Sequence, residues 1–255
     1  MTSWRAKFRG IFCVLVGLAI LQPAKAAESE AVLVAGASGR SGIEIARALA
    51  DAGYRVIGTT RDAARARDRF GSSIEWLEVD MLDPVAVSKA MDGIKLVVSA
   101  LGHGDMVGPD SPQIVHNLAL RNLIDAAAAH KARHMVIMSS STAGHSRGID
   151  HRQEARFGFV LHWMTKSEDH LIASGIPYTI VGPGGLVDGD TEKSGARILA
   201  RKDYQRAMVS RKGVAQVVLL ALRDPAARGK AVAVVIDPAK KPGEISGRFA
   251  DVARE

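Results

Sequence analysis

The sequence predicts one α/β domain built on a doubly wound parallel sheet. Three observations predict it: an apolar run ending in three evenly spaced glycines, an alternation of strand-like and helix-like segments beyond it, and a length that suits one such core. Of the 255 residues, the first 26 read as a leader, and the remaining 229 or so can bury a full hydrophobic core.

The leader is predicted from its own pattern. Arg5, Lys7 and Arg9 form a basic start, an apolar stretch covers 11–21, and Ala24-Lys25-Ala26 is an A-x-A cleavage site. Cleavage after Ala26 would export residues 27–255 to the periplasm. The alternative is an uncleaved membrane anchor, although a comfortable span needs about 20 apolar residues. No twin arginine is present, which favours the general secretory route. Cys13, the single cysteine, lies inside the leader, so a mature domain would hold no disulfide.

Charge excludes a nucleic-acid binder. Four of the 34 Lys and Arg lie in residues 1–26 and none of the 27 Asp and Glu do, so the net charge of +7 falls to +3 in the mature chain. The remaining cations are scattered and show no basic stripe interleaved with aromatics.

The elements follow in order. Val32, Leu33, Val34 and Ala35 are an apolar run bounded by glycine, which reads as a strand buried on both faces. Gly36 then permits a tight turn, Gly39 lets the main chain approach a pyrophosphate, and Gly42 allows close packing of the next helix. That helix, 40–52, carries Ile43, Ile45, Ala46, Leu49 and Ala50 on one face, and its N-terminus favours an anion. Ser38, Arg40 and Ser41 complete the cradle. Further strands are expected at 54–58, 73–79, 95–100, 134–138, 178–181 and 231–236, and helices at 84–91, 111–129, 154–173 and 212–223. The tail after Pro238 reads as peripheral. Right-handed βαβ units on this pattern place a ligand beyond the carboxyl ends of the strands.

The loop Gly36-Ala37-Ser38-Gly39-Arg40-Ser41-Gly42 resembles the GATGxxG loop of extended and atypical short-chain dehydrogenases/reductases, the NAD(P)H-binding and NmrA-like group with a Rossmann fold. The resemblance spans about residues 31–236. The second strand ends without the Asp or Glu that would hold ribose hydroxyls for NAD. Arg61 stands there instead, and a guanidinium suits a 2′-phosphate. NADP is therefore favoured over NAD; the plain alternative is that Arg61 opens a polar surface helix. By resemblance Asp80 and the next N–H meet the adenine, Ser99 and Ala100 pass under the ribose, and Pro183 brings backbone to the nicotinamide end. Asp80 also fits a helix cap, although Asp83 before Pro84 fits better.

The family's catalytic set is incomplete here. Ser141, with Ser140 next, matches the serine that orients the substrate carbonyl, although serines at strand ends also cap turns. Residues 168–186 resemble the family's E-x-x-L-x-x-SG-x-x-YT-x-x-RPGGL segment without a gap. That register puts Met164 at the lysine position, Val160 at the tyrosine position and Gly182 at the arginine position. A competing register puts His162 and Lys166 in those roles. The expected buried stripe of Phe157, Val160, Leu161, Met164, Leu171 and Ile172 turns both away. His103, His145 and His151 lie in loops predicted at the substrate end, as proton donors or as plain surface residues. No sequence pattern suggests a metal.

These features predict an NADPH-dependent oxidoreductase passing hydride to a flavin, quinone or similar conjugated small-molecule acceptor. Two alternatives stay open. One is a non-catalytic NADP-binding or interaction protein, and the other is a domain whose cofactor site is vestigial after export.

Overall fold

The computed structural model describes residues 29–144, 155, 159–188 and 193–254. The leader, with its cleavage site, lies outside them, as do Phe157, His145 and His151. Among the described residues no helix is long and apolar enough to cross a membrane.

Among the described residues nine strands form the main sheet: β1 Ala31–Ala35, β2 Arg55–Thr60, β3 Glu75–Glu78, β4 Leu96–Ser99, β5 His134–Met138, β6 Tyr178–Pro183, β8 Gly195–Ala200, β10 Lys230–Asp237 and β11 Ile245–Ser246. Their order is β11-β8-β10-β6-β5-β4-β1-β2-β3, and β7 Gly185–Val187 pairs with β9 Met208–Ser210 in a small second sheet. From β3 across to β10 every pair is parallel; β8 runs antiparallel to β10. The chain leaves β1 for β2 on one side and later returns to β4 on the other. That reversal opens the crevice in which such sheets bind ligands.

β1 shows why its apolar run is continuous. Val32 and Val34 join one core, with Ile45 and Leu49 of α1 (Arg40–Asp51) and Val217 and Ala221 of α6 (Arg211–Arg223). Leu33 and Ala35 join the other core. There they meet Leu123 and Ile124 of α4 (Leu120–Ala129) and Leu171 of α5 (Val160–Ala173). Successive side chains point to opposite faces, and here both faces are dry. Two shorter helices, α2 (Ala63–Phe70) and α3 (Pro84–Ala90), complete the layers. Asp83 caps α3, accepting from the N–H groups of Val85 and Ala86 at 2.9 and 3.2 Å.

Three sequence expectations are corrected. The helix expected over 111–129 begins with a π-helical stretch, Gln113–Ala119, before continuing as α4. The buried face of α5 is Thr165, Ser167, Glu168 and Leu171; Ile172 is exposed, and Val160, Leu161 and Met164 are only partly buried. A charged residue replaces the expected apolar stripe because it has a buried partner, described below. Nor is the tail peripheral: β11 extends the sheet, and Phe249 is fully buried in the first core.

Candidate active site

The crevice at the carboxyl ends of β1, β2, β4 and β5 is a cleft of about 930 Å³. Its floor is the glycine loop. Gly36 has φ +75°, and a Cβ there would sit 2.9 Å from the Ala100 carbonyl oxygen. At Gly42 a Cβ would lie 2.0 Å from the Gly36 oxygen, so the first turn of α1 rests directly on the loop. Gly39 precedes α1 with no side-chain cap, and the first turn holds no acidic residue. An N-terminus left this way presents N–H groups to an anion. The cradle therefore fits a dinucleotide pyrophosphate.

Of the residues singled out for the cofactor, Gly36, Ser38, Gly39, Arg40, Ser41, Arg61, Asp80 and Ala100 line this cleft. Gly42 lies behind it, as a packing residue. Ser99 and Pro183 are buried in β4 and β6, and neither is among the lining residues. The Ser38 hydroxyl accepts from Thr60 Oγ1 at 3.1 Å, joining the glycine loop to the end of β2. Asp80 turns its Oδ1 to the Leu82 N–H at 2.9 Å, fixing the bend after β3.

Two sets of ion pairs cross the opening. Arg61 Nη1 meets Asp110 Oδ1 at 2.7 Å, with the arginine side chain three-quarters exposed. Asp188 bridges Arg40 at 2.5 Å and Arg211 at 2.8 Å. The hydrogen bond from Arg40, followed by that from Arg211, holds the Asp188 carboxyl below its usual range. Arg211, at the start of α6, is otherwise buried against the cleft wall.

At the far end the wall is formed by Met138 at the end of β5, Ser139 just after it, Met164 of α5 and Leu186 of β7. Among the described residues, neither tyrosine nor lysine lines the cleft. Met164 reaches it, whereas His162 packs against Trp163 and the exposed Lys166 ammonium lies over the Trp163 ring at 5.6 Å. Ser141 is 1% exposed and absent from the cleft wall; its N–H donates to the Pro183 carbonyl at 3.0 Å, continuing the β5 to β6 ladder. Ser139 takes the cleft position. At Gly182, where the family motif carries arginine, a Cβ would lie 2.6 Å from the Ser140 carbonyl group. The strand ends approach too closely here for any side chain.

Sequence reasoning missed two features beside this wall. Glu168 and Arg201, each 2% exposed, form a two-pronged ion pair with both bonds at 2.7 Å. The Ser139 hydroxyl donates to the same carboxylate, so a cleft residue is anchored on a buried charge pair. The second is His116 as the partner of His103, which the sequence already offers as a loop proton donor. His103, on the loop after β4, and His116, in the π-helical turn, both line the cleft, with Nδ1 of His103 2.9 Å from Nε2 of His116. Burial pushes His116 down to about 4, with the neighbouring ring as a lesser cause, and burial also lowers His103.

Comparison with known proteins places the family and the fold. The family model described as NAD(P)H-binding matches residues 36–225. The chain is 30% identical over 215 residues to Protein TIC 62, chloroplastic, of Oryza sativa subsp. japonica, covering 75% of this chain and 43% of that protein. It thus spans less than half the length of that relative. Sanguinarine reductase of Eschscholzia californica is 27% identical over 243 residues, covering 78% of this chain and 86% of its own. Among solved structures, a Bacillus halodurans chain named for NAD-dependent epimerases/dehydratases has the same fold, with TM-score 0.72 at 22% identity over 84% of this chain and 97% of that one. With the cradle intact and the match running from Gly36 through most of the fold, this chain belongs to the NAD(P)H-binding, NmrA-like family of atypical short-chain dehydrogenases/reductases.

Proposed function

We propose that this protein is an NADPH-dependent oxidoreductase that passes hydride to a flavin, a quinone or a similar conjugated acceptor. The observation that carries this reading is the far end of the cleft, where Met138, Met164 and Leu186 stand and, among the described residues, no tyrosine or lysine does. Reduction of an isolated carbonyl calls for an acid poised at the oxygen. An electron-poor conjugated ring needs chiefly to be held flat against the donor, which an apolar wall supplies. The relative named sanguinarine reductase supports a reductase. A bound nicotinamide would supply the hydride; the glycine loop and the α1 N-terminus would hold its pyrophosphate.

Preference for NADPH rests on Arg61. Its guanidinium reaches the cleft and already holds a carboxylate, Asp110, which a 2′-phosphate with its larger charge can replace. Titration of the purified protein with NADPH and NADH, followed by nucleotide fluorescence, is expected to show tighter NADPH binding. Arg61→Ala should abolish that difference. Asp110→Asn should tighten NADPH by up to about fivefold and leave NADH nearly unchanged, because an exposed ion pair is worth roughly 1 kcal/mol at most. NADPH consumption across a panel of flavins and quinones then tests the activity.

A non-catalytic NADP-binding role is the second reading. The closed approach at Gly182 favours it, since the family's arginine has no room to return. Tight NADPH binding with no turnover would select it over the first.

The first 26 residues support export, with the domain acting in the periplasm after cleavage following Ala26. N-terminal sequencing of protein from the periplasmic fraction is expected to begin at Ala27, whereas an intact N-terminus in the membrane fraction would select the anchored form.

A further inference from the structure

We propose that His103 is the proton donor of this cleft and that His116 is its positioning partner, supplying the proton that a conjugated acceptor takes up after hydride. The inference rests on the reductase reading above. Loop and helix bring the rings together from 13 positions apart, edge to face at 70° with centroids 5.1 Å apart. The facing nitrogens are 2.9 Å apart, a distance at which one proton is shared.

The two rings have different surroundings. His116 is 3% exposed and sits in a π-helical turn, an irregularity common at functional sites. The Ser167 hydroxyl of α5 donates to the His116 carbonyl and fixes that turn. His103 is only partly buried, on the loop that leaves β4 through Ala100 and Leu101. A ring held in apolar surroundings resists a charge, so His116 stays neutral and accepts. Protonated His103 then donates Nδ1–H to Nε2 of His116, which requires His116 to carry its own proton on Nδ1. Nε2–H of His103 is left for a ligand in the cleft. The charged side chains lining the same cleft are Arg40, Arg61, Glu78, Asp80, Asp110 and Arg211. Asp110 is engaged by Arg61, and both Arg40 and Arg211 by Asp188.

The step balances. A quinone takes hydride from the reduced nicotinamide, and the anion so formed takes the Nε2 proton of His103. The neutral ring regains a proton from solvent, so one quinone, one reduced nucleotide and one proton give the hydroquinone and the oxidised nucleotide.

Two acceptors separate this role from a structural one. A benzoquinone needs hydride and a proton, whereas the N-methylacridinium cation needs hydride alone. His103→Gln is expected to slow benzoquinone reduction by about 100-fold, the lower end for loss of a general acid, and N-methylacridinium reduction by less than about threefold, with NADPH affinity kept. His116→Gln should slow the quinone reaction by roughly tenfold. Equal losses with both acceptors, or no loss with either, would overturn the proposal while the reductase reading survives. A wild-type protein that binds NADPH and reduces neither acceptor would sink both. Nitrogen-15 spectra of the free protein give a readout independent of turnover. His116 is expected as the neutral Nδ1–H form from pH 8 to pH 5, with ring signals that move in His103→Gln; independent titration of the two rings would also overturn the pairing.

Discussion

Arg201→Ala is expected to destabilise the fold by about 3–5 kcal/mol, the usual consequence of leaving one member of a buried ion pair without the other. The pair is enclosed: the side chains of Arg201 and Glu168 are 1% and 3% exposed, and both guanidinium-to-carboxylate bonds are 2.7 Å. Removing the guanidinium strands a carboxylate to which Ser139 alone of the three still donates. The double variant Glu168→Met/Arg201→Leu should recover most of the loss, because apolar residues of similar volume avoid the desolvation cost of both charges. Urea unfolding followed by circular dichroism measures both. A loss under about 1 kcal/mol in Arg201→Ala would mean that water reaches the pair. Because Ser139 lines the cleft, the same variant should also loosen the far wall of the site.

Gly42→Ala should remove nucleotide binding while leaving much of the sheet intact. A methyl group at this position would lie 2.0 Å from the Gly36 oxygen and 2.9 Å from the Ala37 Cα, both backbone atoms that cannot step aside. Either α1 retreats from the loop or the loop opens, and a displacement near 1 Å costs on the order of 100-fold where geometry is fixed by the scaffold. NADPH affinity by fluorescence is expected to fall by at least that factor. Normal affinity in the variant would show that the loop adapts, against the close packing described above.

The cradle was legible because its constraints are local. A positive φ at Gly36 and a near-contact at Gly42 admit only glycine, and β1 is apolar throughout because it is covered on both faces. Arg61 could be placed from the end of β2 alone. The rest depended on partners distant in the chain. Nothing local to Glu168 marks it as buried, because its counter-charge, Arg201, lies 33 positions on. His116 gave no signal because a π turn has no compositional signature; a regular helix over 111–129 would have turned its face elsewhere. Ser141 and Ser139 carry the same side chain, and only the register of β5 against β6 shows which faces the cleft. The edge strand β11 is two residues long and exists only through pairing with β8.

The carboxylates spanning the cleft change how an anion would enter it. Arg61, Arg40 and Arg211 already hold Asp110 and Asp188, so incoming phosphates evict protein carboxylates in place of mobile counterions. Binding by such exchange draws little on long-range attraction, since the field outside the mouth is largely cancelled before the ligand arrives. Rising ionic strength weakens the resident pairs along with the new ones. Affinity for a dinucleotide should therefore vary less with salt than three arginines at one opening would suggest.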